Sequence, residues 1–331
     1  MAGTSPKKRS KKRTKGRPQS GRPGGPRPAV VNPSGDPRKA SRATARDWIA
    51  ASRPRTLPLA IAPVLVGTGA AIIVTDVFRW VVALFCLVVA LSVQIGVNYA
   101  NDYSDGIRGT DAHRLGPKRL VASHAAKPRT VLIVALGFFG ISALAGLALV
   151  IRTQQWWMLA VGAVILAAAW FYTGGKRPYG YAALGEVAVF LFFGLVATLG
   201  TTWLQALTLT QESWFGAVAI GLIACSVLLA NNLRDIDQDR PAGKRTLTVL
   251  IGRRPTQALF TVLMLAPFGI SGFLAMLYPL AWLTFMMLLA ALPAILIVWT
   301  YRQPRELLVA LSLTSLTALG YAGLLTWAFI G

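Results

Sequence analysis

Residues 80–111 read "WVVALFCLVVALSVQIGVNYA-NDYSDGIRGTD", with the break placed before Asn101. The first 21 residues are almost wholly apolar and contain no charge. A helix needs about 20 such residues to cross the hydrocarbon of a bilayer. Three aspartates then follow within eleven residues. A chain that runs through oil and then gathers carboxylates at the edge of it calls for an explanation of both halves.

The apolar half recurs along the chain. Of the 331 residues, 54% are hydrophobic and 14% are charged, against about 25% charged in ordinary soluble domains. The pattern predicts an all-α, polytopic membrane protein with nine transmembrane helices, near 57–75, 80–101, 130–151, 156–173, 184–204, 214–233, 257–277, 279–300 and 307–329. Cys86 and Cys225 sit in separate apolar runs and read as packing residues, not as a disulfide.

The net charge of +22 comes from 34 Lys and Arg against 12 Asp and Glu. Much of it lies in a leader, "PKKRSKKRTKGRPQSGRPGGPRPAVVNPSGDPRKA" at 6–40, which has little to bury. Residues 1–46 are therefore expected to be a disordered, basic cytoplasmic leader that touches anionic lipid, and 47–331 the membrane domain. This distribution gives no reason to invoke nucleic acid. The leader has no apolar core of a signal peptide. The remaining cations fall in alternate loops: Arg108 to Arg129, Lys176 and Arg177, Arg234 to Arg254, Arg302 and Arg305 on one side, and only Arg79 and Arg152 on the other. The positive-inside rule places the N-terminus in the cytoplasm and the C-terminus outside the cell membrane.

The acidic half is not scattered. Six of the twelve acids lie in "NDYSDGIRGTD" (101–111) and "NNLRDIDQDRPAGKRT" (231–246). Each segment follows an even-numbered span and opens with Asn-x-x-x-Asp: Asn101 to Asp105, Asn231 to Asp235. On a continuing helix that spacing puts amide and carboxylate on one face, one turn apart, and Asp239 extends the second face. Asp111 lies beyond Gly109 and is expected on a loop. One such cluster is adequately read as a solvated helix end; two in matching positions are not. Hard oxygen donors suit Mg²⁺, which keeps waters and completes its shell with phosphate. Neither segment offers the Cys or His of a zinc site, and His113 and His124 read as surface residues. The surrounding Lys and Arg each obey the positive-inside rule, yet together they are suited to clamp a polyanion. A polyanion beside a membrane wall suggests a lipid diphosphate.

Five stretches, in order, resemble the UbiA superfamily of intramembrane prenyltransferases: "RPRTLPLAIAPVLVGT" (53–68), the first acidic segment, "RLGPKRLVAS" (114–123), "YTGGKRPYGYAALGE" (172–186) and "NNLRDIDQDRPAGKRTLTVLIG" (231–252). The likeness is greatest to the branch that acts on 1,4-dihydroxy-2-naphthoate in menaquinone synthesis, and it spans roughly residues 47 to 331. The wider superfamily commonly has a third Asp where this chain has Gly109. The resemblance implies nine helices around a central cavity with the two motifs facing each other at its cytoplasmic end. It implies transfer of a polyprenyl group from polyprenyl diphosphate to 1,4-dihydroxy-2-naphthoate, with loss of CO₂ and diphosphate, to give demethylmenaquinone. It implies two Mg²⁺ ions held by Asn101, Asp105, Asp111, Asn231, Asp235 and Asp239, with Asp102 and Asp237 as weaker candidates. Asp105, Asp235, Lys176 and Arg119 take catalytic roles, and Lys244, Arg245 and Arg108 meet diphosphate. Glu186 is open between a structural pair with a Lys or Arg and a role at the acceptor.

A sister enzyme acting on 4-hydroxybenzoate is the nearest alternative. A cation transporter is disfavoured, because transport acids belong near the bilayer midplane, whereas these sit at one mouth.

Overall fold

A computed structural model of the chain describes residues 1–3, 42–110 and 119–331. Two units divide the chain, Met1–Arg38 and Lys39–Gly331. The first holds three described residues, so the leader lies almost wholly outside the described part; the second is the helical body. Its helices are α1 (Ala45–Ala51), α2 (Pro58–Thr75), α3 (Trp80–Arg108), α4 (Pro128–Thr153), α5 (Met158–Phe171), α6 (Gly185–Val189), α7 (Ala197–Ala206), α8 (Gln211–Asp239), α9 (Leu247–Ile251), α10 (Arg253–Leu274), α11 (Leu288–Thr300) and α12 (Leu307–Ile330). A π-helical segment, Phe190–Val196, fuses α6 to α7, and a 3₁₀ segment, Pro279–Met287, leads into α11.

Eight of the resulting helical runs are long and apolar enough to cross a membrane. The ninth expected span, 156–173, is the 14-residue α5, about 21 Å long at 1.5 Å per residue and short of the hydrocarbon thickness. It still joins the two faces of the body. Trp157, just before it, packs edge-on to Trp203 near the end of α7, with ring centroids 5.8 Å apart. Thr173, just after it, donates to Asn101 in the last part of α3.

Helices α2, α8 and α12 form the centre, and α3 with α4 lies more to the outside. Small residues permit the central contacts, as in membrane proteins generally. At Gly67 of α2 a Cβ would come within 2.5 Å of the Thr198 carbonyl oxygen of α7. Ile220, Ile223 and Leu229 of α8, Phe260 and Met264 of α10 and Tyr321 of α12 fill the core.

What positions the site is length. Both α3 and α8 have 29 residues, about 44 Å each, against about 30 Å of hydrocarbon. Each therefore carries its acidic motif as helix continuing past the apolar stretch. Gly109, at φ 73° in the left-handed region, stops α3 directly after Arg108.

Candidate active site

At the end of α3, Asn101 and Asp105 lie one helical turn apart, and both are buried. Thr173 Oγ1 donates to Asn101 Oδ1 at 2.6 Å. Tyr181 Oη donates to Asp105 Oδ1. The remaining carboxylate oxygen, Oδ2, lies 3.2 Å from Lys244 Nζ. Lys244 comes from beyond α8, where the chain doubles back. Its N–H bonds to the Asp239 carbonyl at 3.0 Å, and the next N–H, of Arg245, bonds to the Tyr181 carbonyl at 3.0 Å. So pinned, its ammonium also stands 4.0 Å from Asp239 Oδ1 and 4.9 Å from the centre of the Tyr181 ring. One lysine, 6% exposed, thus joins the first acidic motif to the second.

The second motif carries a cation of its own. Arg234 Nε and Nη2 donate to the two oxygens of Asp235, each at 2.7 Å, and Nη2 also reaches Asn231 Oδ1 at 2.8 Å. Two residues of these segments serve the scaffold. Asp102, fully buried, accepts the N–H groups of Leu120 at 2.9 Å and Val121 at 3.0 Å, and so fixes the loop that carries Arg119. Asp237 faces outward and pairs with Arg253 at 2.5 Å.

Arg108 donates through both terminal nitrogens to the carbonyls of Thr173 and Gly175 and lies over the Tyr181 ring. It binds the end of α3 to the 172–184 loop. The side chains of Lys176 and Arg245 are exposed. Asp111 and Arg114 lie outside the described residues. Glu186 is buried in the wall between α6 and α8. Its partner is an amide, Asn232 Nδ2 at 3.0 Å, where a Lys or Arg was one expectation.

Asn101, Asn231 and Arg234 open onto a cavity of about 600 Å³. Its walls are apolar, from Val97 of α3, Ile165 of α5, Phe192 and Phe193 of the π segment, Val227 of α8 and Leu311 of α12. Five arginines line it, Arg46, Arg53, Arg55, Arg119 and Arg234, and the described lining residues include no Asp or Glu. The N-terminal arginines belong to the same end as the motifs: Asn98, one turn before Asn101, donates to the Ser52 carbonyl at 2.8 Å, and Tyr99 to that of Trp48 at 2.8 Å. Tyr172 and Tyr179 face each other edge-on in the lining, 5.5 Å apart. Burial pushes the Tyr179 phenol up to about 12 and that of Tyr172 higher still. Burial, and then the Asp105 carboxylate, raise that of Tyr181. All three stay neutral hydroxyls near pH 7.

The donors gathered here are amide and carboxylate oxygens: Asn101, Asp105, Asn231, Asp235 and Asp239. Among the described residues no three of His, Cys, Asp and Glu form a cage on their own. That donor set suits Mg²⁺, which takes one or two carboxylates and leaves its other positions to water and phosphate. The chain's own cations, Lys244 and Arg234, already stand beside three of these acids, Asp105, Asp239 and Asp235.

Sequence comparison meets this geometry directly. The sequence model of the UbiA prenyltransferase family matches residues 60–308. The chain belongs to the UbiA prenyltransferase family. A curated relative, 1,4-dihydroxy-2-naphthoate octaprenyltransferase of Mycobacterium tuberculosis, is 54% identical over 230 residues, which are 70% of this chain and 78% of that protein. Among solved structures, an apo UbiA homologue from Aeropyrum pernix superposes with a TM-score of 0.61 at 16% identity, covering 79% of this chain and 96% of the other. A UbiA homologue from Archaeoglobus fulgidus bound to GPP and Mg²⁺ gives 0.60 at 14% identity, covering 86% and 99%. At such identities the two structures speak for the fold, and the fold is that of the UbiA family.

Four contacts of this site are not evident from sequence, which reads Arg234 as a topology charge, does not single out Tyr181 or Thr173, and offers Asp102 as a weaker ligand candidate. Arg234 left one signal: it stands three residues from Asn231, a neighbouring position on a helix.

Proposed function

We propose that this UbiA-family chain transfers a polyprenyl group from polyprenyl diphosphate to 1,4-dihydroxy-2-naphthoate, releasing CO₂ and diphosphate and forming demethylmenaquinol, the reduced form of demethylmenaquinone. The observation that carries it is the joining of the two acidic motifs by Lys244 at the end of an apolar cavity rimmed with arginine. The 54% identical relative named for this acceptor supports the choice of ring.

Asn101, Asp105, Asn231, Asp235 and Asp239 would hold two Mg²⁺ ions, and Asp111, outside the described residues, is the further donor that the sequence offers. The ions supply Lewis-acid stabilisation of the leaving diphosphate. The basic side chains do the rest of the anion work. Arg234 and Lys244 meet the diphosphate from the α8 side, where charge develops as the allylic carbon–oxygen bond breaks. Arg108 holds the 172–184 loop against α3. The prenyl tail lies along Val97, Phe192, Phe193 and Val227, which keep water from the allylic cation. The faces of Tyr172 and Tyr179 stabilise that cation. Arg119, with the N-terminal arginines, receives the acceptor carboxylate. Attack by the electron-rich ring forms the carbon–carbon bond, and the ring carboxylate departs as CO₂.

This chemistry is proposed at the cytoplasmic face of the cell membrane, with the N-terminus on the same side, a reading that the charge pattern supports. The decisive experiment incubates purified full-length protein with Mg²⁺, a polyprenyl diphosphate and either 1,4-dihydroxy-2-naphthoate or 4-hydroxybenzoate, and reads products by mass. Decarboxylated prenyl naphthol is the expected product. Prenylated 4-hydroxybenzoate alone would assign the chain to the sister activity, and full turnover in excess EDTA would remove the metal from the scheme.

A further inference from the structure

We infer that Lys244 is the resident counterion of the two acidic motifs, and that metal loading moves its ammonium from the carboxylates to the diphosphate. This rests on the junction being a metal and diphosphate site.

The side chain is placed for exchange and not for permanent support. Its backbone is fixed on both sides, by the Asp239 carbonyl and through Arg245 by the Tyr181 carbonyl, so only the four-carbon stem needs to swing. An ammonium is a compact charge on a flexible stem, unlike a guanidinium locked by its planar fork. Arg234 shows the contrast, since three hydrogen bonds hold it to its own helix. The two oxygens of Asp105 also differ. Oδ1 accepts from the Tyr181 hydroxyl, whereas Oδ2 accepts from Lys244 at 3.2 Å. Oδ2 and the Asp239 oxygen that Lys244 also faces come from opposite motifs, so the ammonium stands where an ion shared by both helices would need their oxygens. Asp105 is 2% exposed and Asp239 8%. Two desolvated carboxylates brought together need a cation at every stage of turnover. A lysine that fills this role between turnovers keeps the helices in register and then becomes a diphosphate donor once the metal takes its place.

The exchange predicts effects of opposite sign from one substitution. Full-length Lys244→Met is expected to bind Mn²⁺ alone about tenfold more tightly than the wild type, a coupling of ordinary allosteric size, because no internal cation has to leave. The same variant should bind Mn²⁺ together with inorganic pyrophosphate more weakly, and it should melt several degrees lower in EDTA. Mn²⁺ binding is read by electron paramagnetic resonance in detergent and melting by intrinsic fluorescence. Lys244→Gln, which keeps a donor, serves if the Met variant does not fold and should shift in the same directions. Arg253→Met removes a nearby cation that pairs with the exposed Asp237; its Mn²⁺ affinity should stay within about twofold of wild type. Unchanged or weaker Mn²⁺ binding by both Lys244 variants overturns the exchange, as does equal tightening by Arg253→Met. Failure of the wild type to bind Mn²⁺ even with pyrophosphate overturns instead the reading of the site.

Discussion

Arg234 closes a two-toothed grip on the residue beside it in the chain, with Nε and Nη2 each 2.7 Å from an oxygen of Asp235. Both side chains are buried. A salt bridge in such a place is weak evidence of net stabilisation, but breaking one side of it strands a buried charge, at about 3–5 kcal/mol. Arg234→Gln is therefore expected to lower the melting temperature of the metal-free protein by about 4–7 °C. Arg234→Lys keeps the charge, loses the fork and should lose less. Equal melting of wild type and Arg234→Gln, followed by fluorescence in detergent, would show that Asp235 finds another cation.

Asp102 and Asp105 are three residues apart in one motif and are predicted to fail differently. Asp102 binds two backbone N–H groups with its two oxygens. Asp102→Asn keeps one acceptor and turns an amide donor toward the other N–H, at a cost of about 1–3 kcal/mol. It should melt lower and raise KM while retaining turnover. Asp105→Asn removes a charge from the side of the helix that faces Lys244, without changing side-chain size, and should abolish most turnover. Comparing Tm and kcat for the two variants separates the roles; a variant pair with the same profile would contradict the division.

The apolar spans were legible because bilayer thickness imposes a length that sequence displays directly. α5 was overestimated for a related reason. Hydropathy reports how long an apolar run is, not where the helix within it begins, and Trp156 and Trp157 form a turn before Met158. The acidic motifs were legible from their spacing, since α3 and α8 do continue through them. What could not be read was which cation meets which acid. Residues 234 and 235 are adjacent, and adjacent residues on a helix point about 100° apart, so only a long side chain curling back makes that pair. Lys244 reaches Asp105 across 139 residues of chain through a turn fixed by Tyr181, and no local pattern encodes such a contact. The π segment that brings Phe192 and Phe193 to the cavity is likewise invisible to periodicity; such bulges are rare and cluster at functional sites.

Tyr179 contributes one part of an alkaline pH dependence. Its phenol is pushed up to about 12 by burial, whereas an unfolded phenol titrates near 10. The unfolded chain thus loses this proton first. The contribution is fully present below about pH 10 and is lost as pH rises through about 12. Tyr179→Phe should be slightly less stable at neutral pH, by about 1 kcal/mol for the lost hydrogen bond to the Ala168 carbonyl. Its deficit relative to the wild type should shrink between pH 10 and 12. Tyr172 and Tyr181 shift in the same direction, so the variant keeps part of the alkaline sensitivity. Parallel melting curves for both proteins across that window would show that burial does not hold the Tyr179 proton.

Arg119 and Lys176 share one expected catalytic role by sequence, and their placement separates them as partners for the acceptor carboxylate. Arg119 lines the cavity, on the loop that Asp102 fixes. Lys176 is exposed on the 172–184 loop, and the cavity lining does not include it. A carboxylate bound in the cavity gains a charge-assisted hydrogen bond from Arg119, and such a bond contributes about 1.5–3 kcal/mol. Arg119→Gln should therefore raise KM for 1,4-dihydroxy-2-naphthoate about tenfold to a hundredfold, and KM for the prenyl diphosphate much less. Lys176→Gln should change both by no more than about twofold, the usual size of a surface charge effect. Initial rates with each substrate varied in turn give the two KM values for each variant. A rise confined to the prenyl diphosphate in Arg119→Gln would move that residue into the diphosphate clamp. A large naphthoate effect in Lys176→Gln would require the 172–184 loop to fold inward during turnover, carrying Lys176 to the cavity mouth.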